Sequence, residues 1–204
     1  RDLYRQKSVT VSLSELNEKL RETKFSVDLL TLLSLLFNEE MKPKAVQIEE
    51  KRAIWNQYIN HLQARANVKV VYNWLEQMKT GQANGYRVLK EHFEDMKNDL
   101  NPKAKGIDEI CSVVDGLNRL PIFTEQSLER KIPLPVFAAQ RTGDAHFFDR
   151  DRFAGRLFYY GILHVNKRQV DEDALEGGPL FERQQYENVG ISLDDLSSQV
   201  LVLG

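Results

Sequence analysis

The sequence predicts a mainly α-helical protein: a helical arm over residues 1–120 and a smaller α+β part over 121–204, degenerate winged-helix-like in character, with one short sheet. Three observations predict it. Apolar residues recur three or four positions apart through most of the first part, which is one face of a helix repeated. Glycines, prolines and Asn/Asp clusters stand where those stripes stop. Only two stretches, Ser8 to Leu13 and Gln199 to Leu203, carry a strand pattern, and a small sheet is all they can build.

Taken in order, "SVTVSL" alternates β-branched with small polar residues and leads into Ser12-x-x-Glu15, a capping-box pattern that predicts a helix through Leu13, Leu16 and Leu20 to about Thr23. "FSVD" restarts the chain into "VDLLTLLSLLF", read as a buried helix that "NEEMKPK" ends. From Ala45 to about Ala66, Ile48, Trp55, Ile59 and Leu62 share a stripe while Glu49, Glu50, Lys51 and Arg52 face solvent. Val68, Val71, Leu75 and Met78 predict the next helix, with Gly81 as its C-terminal glycine. Tyr86, Leu89, Phe93 and Met96 carry another until "NDLNPKAKG" breaks it, and Ile107, Ile110, Val114 and Leu117 carry one more. The proline-rich "LPIFTEQSLERKIPLP" divides the two parts. Beyond it, "PLPVFAAQ" and "RFAGRLFYYGIL" read as two helices, "DALEGGPLFERQQYENVG" as a broken helix and "SQVLVLG" as a terminal strand.

A chain of 204 residues can bury a sizeable core without cross-links. Cys111 is its only cysteine, so neither an internal disulfide nor a cysteine-rich zinc site can form, and a cytoplasmic protein is expected. A formal charge of -2 makes no global case for nucleic acid. The longest apolar run is too short to span a bilayer, and no membrane partner is expected. Phosphate-binding, dinucleotide-binding, nucleophile-elbow and H-E-x-x-H motifs are missing, and the D-x-D triplets at Asp149 and Asp171 follow no apolar strand. Cys111 suits an inert core thiol, and His61, His92 and His164 have no partner at ligand spacing.

One segment invites chemistry. "RTGDAHFFDRD" sets Asp144, His146, Asp149 and Asp151 beside Gly143. It can be a hinge, with Gly143 supplying a left-handed helix end, Asp149 capping the next helix and Asp151 in that helix's first turn. It can hold a metal through Asp144, His146 and Asp149. It can also contact another domain or nucleic acid. Two helices around a turn allow a helix-turn-helix, with Arg141, Arg150, Arg152 and Arg156 as possible DNA phosphate contacts.

"LNRLPIF", "LPVFAAQRTGDAHFFD", "GRLFYYGIL" and "ENVGISLDDLSSQVLVLG" resemble, in order and spacing, the N-terminal half of the JetD-type, Toprim-containing nuclease family of bacterial Wadjet-like plasmid-defence systems, encoded beside an SMC-like ATPase. "SVTVSLSELNEKLRETKF" resembles that family's N-terminal strand and helix, so nearly the whole chain is covered. The family's loop reads approximately T-G-(D/N)-P-H-x-L-D, matched by Thr142, Gly143, Asp144, His146 and Asp149 and departed from at Ala145 and Phe148. The resemblance implies a non-catalytic scaffold that positions DNA or partner subunits. In such proteins a catalytic module related to the topoisomerase VI A subunit follows, its acidic residues binding Mg2+ for DNA cleavage. Residues 121–204 would lead into it, no cofactor is expected in this chain, and subunits of the SMC-like ATPase complex are the implied partners. The loop is then expected to be a hinge that presents Asp144 and His146 outward. The alternatives are a stand-alone helical interaction protein without a nucleic-acid role and a metal-dependent enzyme built on the loop.

Overall fold

A computed structural model describes residues 10–98, 105–124, 131–168 and 178–193. They are mainly helical, with one short sheet. The chain divides into two compact units, Arg1–Ile54 and Trp55–Gly204. The boundary expected after Leu120 therefore falls inside the second unit, where helices from both sides of it share one core.

The first unit pairs α1 (Leu13–Arg21) with α2 (Leu29–Phe37) and contains the start of α3 (Lys44–Gln63). Leu13 opens α1 instead of ending a strand, and Thr10 to Ser12 form none; Ser8 and Val9 lie outside the described residues. Ser12 occupies the N-cap position, but its Oγ lies 2.7 Å from Ser14 Oγ and caps no amide, so the capping box is not formed. Asp28 does cap α2, accepting the Thr31 amide at 2.8 Å, and Asn17 of α1 accepts the Leu29 amide at 2.9 Å. Asn38 ends α2 in the left-handed region, as short polar side chains there allow.

The reading of α2 as a buried helix is corrected. Leu35, Leu36 and Phe37 are 71%, 69% and 63% exposed. A helix apolar on every side tells nothing about which side is covered, and within this small unit only one side is. Ile48, expected on the core stripe of α3, is likewise exposed, while Trp55, Ile59 and Leu62 are buried.

The second unit is organised around α8 (Phe153–Val165), which packs on α4 (Lys69–Thr80), α5 (Tyr86–Asn98), α6 (Lys105–Asn118) and α9 (Pro179–Asn188). Its buried residues run nearly all round it, from Ala154 through Phe158 to Leu163. Such a helix can be central only if neighbours reach it closely. Gly161 provides one approach: a Cβ there would lie 2.4 Å from Leu117 Cδ1 of α6. Several buried polar groups are satisfied by partners elsewhere in the unit. Asn118 accepts the Asn67 and Val68 amides at 3.1 and 3.3 Å and donates to the Arg65 carbonyl at 2.8 Å, so the end of α6 caps the start of α4. Trp55 and Trp74 donate their indole N–H to the Met78 and Asn84 carbonyls. Gly81 ends α4 with φ 77°, the left-handed conformation its position predicts.

The sheet is built from other residues than expected. β1 (Ile132–Pro133) runs parallel to β2 (Ile191–Ser192), in the register Ile132 to Ile191, and the Ile132 amide donates to the Gly190 carbonyl at 3.0 Å. Strands of two residues have no alternation for a sequence pattern to show. The expected strand at Gln199 to Leu203 and the acidic triplet at Asp171 lie outside the described residues. No helix among the described residues is long and apolar enough to cross a membrane.

Candidate functional site

The segment singled out by sequence connects α7 (Leu134–Thr142) to α8. Gly143 ends α7 with φ 81°, its amide donating to the Ala139 carbonyl at 2.9 Å. Thr142 stabilises the same turn: its hydroxyl lies 2.9 Å from the Ala138 carbonyl and accepts the Asp144 amide at 3.2 Å. The hinge reading of Gly143 therefore holds. Gly143→Val should destabilise the protein by about 1–2 kcal/mol, from backbone strain alone, because no atom lies within 4 Å of a Cβ at this position. Thermal denaturation should show Gly143→Asn milder than Gly143→Val, since Asn tolerates this conformation better.

Past the glycine, the polar side chains bind one another. Asp144 accepts the His146 amide through Oδ1 at 2.8 Å, closing a turn on its own backbone, and accepts Arg152 Nη1 through Oδ2 at 2.7 Å. His146 Nδ1 lies 2.8 Å from Asp149 Oδ2. Two expectations are corrected here. Asp149 does not cap α8: Arg152 is the N-cap residue, without a side-chain cap bond, and the Asp149 carboxylate faces His146 instead. Asp151 accordingly precedes the helix and is not in its first turn. Asp144, expected to be presented outward, is the acid that shapes the turn. His146 is outward as expected, its side chain 70% exposed.

The Asp144 carboxyl is held below its ordinary value of 3.8, first by the His146 amide and then by the Arg152 guanidinium. A carboxyl with a lowered folded-state value stabilises the fold above its unfolded value and loses that contribution as pH falls through the folded one. Melting curves between about pH 2 and pH 5 should therefore fall more steeply with acid for the parent than for Asp144→Asn. Equal slopes would mean that the pairing contributes nothing to folding.

The metal reading of Asp144, His146 and Asp149 finds no convergent set. Asp144 is turned to Arg152, and among the described residues no group of three or more His, Cys, Asp and Glu is placed to hold an ion. Cys111 is a buried free thiol whose pKa burial pushes up, as an inert core cysteine requires. His61 is exposed, His92 stacks on Phe153 at 3.8 Å, and burial holds His164 below its ordinary pKa.

The helix-turn-helix reading is also corrected. The connection from Gly143 to Arg152 is longer than the tight turn of that motif, and α8 is too buried to enter a groove. Its arginines have separate fates. Arg150 is an internal strut, with Nε 2.8 Å from Glu182 Oε1 of α9 and its guanidinium 4.0 Å above the Tyr159 ring. Arg152 is held by Asp144, and Arg156 is exposed. Arg141 lies over Phe137, its Nε sealed from solvent without an acceptor. Burial lowers its pKa, and so does the nearby charge of Arg119. Sequence reasoning missed Arg119, since no local signal links the end of α6 to the end of α7.

Phe148, one of the two departures from the motif quoted above, is wholly buried against Phe158, Phe137 and Phe147. The loop is thus anchored by an aromatic side chain and closed by the Asp144–Arg152 ion pair and the His146–Asp149 contact. A family model described as "Protein of unknown function N-terminus (DUF3323)" matches residues 1–204. Neither a curated protein nor a solved structure matches the chain.

Proposed function

We propose that this chain, which belongs to the family described as Protein of unknown function N-terminus (DUF3323), is a non-catalytic helical scaffold that positions DNA for a nuclease subunit of the JetD type. The observation that carries the reading is the self-contained α7–α8 connection. Asp144 and Asp149 are engaged within the loop, and Phe148 fastens it to the core, so what it offers to the outside is a rigid surface. The resemblance of "RTGDAHFFD" to the loop of Wadjet-like nucleases supports the same reading, with the catalytic Toprim module, its Mg2+ and the SMC-like ATPase subunits lying elsewhere in the assembly.

The test is binding of a short fluorescent duplex. Expected is association that weakens steeply between about 50 and 200 mM salt, as phosphate contacts require, with no cleavage on adding Mg2+ or Mn2+. Absent or salt-independent binding would remove DNA positioning. Cleavage abolished by the Asp144→Ala, Asp149→Ala double variant would replace the scaffold by a metal-dependent enzyme. One observation favours a second reading, a helical protein-interaction domain without a nucleic-acid role: the uncovered apolar face of α2 at Leu35, Leu36 and Phe37.

A further inference from the structure

Neither α1 nor α2 contains a fully buried residue, although α2 carries only leucine, phenylalanine, serine and threonine side chains. Helical spacing tells which side of α2 is open. Leu29, Leu32 and Leu33 fall on one side and are half-buried, and α1 is the helix that packs on α2. Leu36 shares that side. Leu30, Thr31, Ser34, Leu35 and Phe37 fall on the opposite one, and all of them but Ser34 are exposed. The hydroxyl at the centre of this open face is already satisfied: Ser34 Oγ donates to the Leu30 carbonyl at 2.8 Å and accepts the Met41 amide at 2.8 Å. Covering the face would therefore leave that hydroxyl paired.

The charges at its two ends indicate the occupant. At the start of α2, Arg21 Nη2 lies 3.9 Å from the carboxylate of Asp28, the N-cap residue, and the exposed Lys24 stands between them in sequence. Glu22 is bonded to Lys19, so the margin is basic. At the other end the Glu39 amide donates to the Ser34 carbonyl, and Glu40 follows, both residues exposed. Lys42 beyond them is bonded to Glu50, and Lys44 opens α3, so the margin is acidic. The helix dipole has the same polarity, positive at the start and negative at the end. An uncharged face with opposite margins is complementary to itself turned round. Two copies packed antiparallel set basic margin against acidic margin at both ends, because a two-fold axis repeats each contact. A parallel pair would oppose like charges.

We infer that α2 is a self-association surface, on which Leu30, Thr31, Ser34, Leu35 and Phe37 pack antiparallel against the same residues of a second copy of this chain. Lys24 of each copy then stands on the side of Glu39 and Glu40 of the other. The inference does not depend on the DNA-positioning reading, since self-association and duplex binding are separate measurements. A contact of about two and a half helical turns is at the small end of specific interfaces, so the dimer dissociates on dilution.

Sedimentation velocity of the full chain tests this, over concentrations from about 1 to 200 µM at low salt, with melting temperature as the check on folding. The parent's average mass should climb from one chain toward two. Leu35→Glu should weaken association about tenfold or more, because it buries an unpaired charge in the face, and should melt like the parent because Leu35 is exposed. Leu36→Glu, the same change one residue on and on the other side of the helix, should associate like the parent. Lys24→Glu, and separately the Glu39→Lys, Glu40→Lys pair, should each weaken the dimer several-fold by setting like charges together at both ends. The variant carrying all three changes should recover parental association, since the margins are then exchanged. A parent that stays monomeric throughout leaves the face to a different protein and overturns the proposal. Equal loss in Leu35→Glu and Leu36→Glu overturns it as well, showing apolar clustering without a defined face. Charge reversals without effect, or without recovery in the triple variant, overturn the antiparallel pairing.

Discussion

Gly155→Ala should deprive the second unit of its stable fold. A Cβ on Gly155 would lie 1.9 Å from the Asp149 carbonyl oxygen and 2.5 Å from that of Phe148. Both are backbone atoms of the loop, so no rotamer change can make room. Either the first turn of α8 must withdraw or the loop must shift, and the loop is anchored by Phe148 below and by the Asp144–Arg152 pair beside it. Overpacking commonly costs about 1–3 kcal/mol where side chains can yield. A backbone-to-backbone clash of this depth should exceed that, at about 4 kcal/mol or more, against a total stability of roughly 5–15 kcal/mol for a domain. In calorimetry the melting temperature should fall by about 10 °C or the transition should lose cooperativity. Gly178→Ala is the control, because no atom lies within 4 Å of its added Cβ, and it should stay within about 1 kcal/mol of the parent. A Gly155→Ala protein that melts like the control would show that α8 does not approach the loop this closely.

Phe148→Ala should have the second-largest effect, about 3–5 kcal/mol, the range for emptying a buried phenylalanine site. Its ring is stacked on Phe158 at 4.0 Å and meets Phe147 edge-on at 5.1 Å, so the substitution removes ring contacts as well as buried area. The cavity would open beneath the loop, between α6, α7 and α8. Phe148→Leu should recover much of the loss, since it returns volume without the stacking. Urea denaturation read by circular dichroism distinguishes the two. If Phe148→Ala cost under about 1 kcal/mol, the loop would be a surface attachment and not a wedge in the core. The residue also bears on the scaffold proposal, because a loop loosened from below cannot hold His146 or the end of α7 in place.

The two corrections at the loop share one physical cause. Asp149 and Asp151 precede an apolar run, and that is the pattern of a helix N-terminus. Yet the Asp149 carboxylate lies 2.8 Å from the His146 imidazole three residues before it, and the helix begins later, after Arg152. Asp144 is drawn in the same way by Arg152, a residue eight positions on, through a contact that only the finished turn brings within reach. Local propensity listed the right residues for a turn and paired them wrongly.

Helix ends at Gly81 and Gly143 and the stripes of α4 to α6 were determined by the sequence itself, because each depends on a few neighbouring residues and on the chirality of the backbone. Burial was decided only by the tertiary structure. The α2 run and the α8 run are both apolar on nearly every side, and one is left largely uncovered in a small unit while the other is enclosed by four helices. The seating of Phe148 was decided there too: Gly116 leaves room for its ring beside α6, while Phe137 of α7 meets it from the other side, and no pattern within either helix contains those contacts.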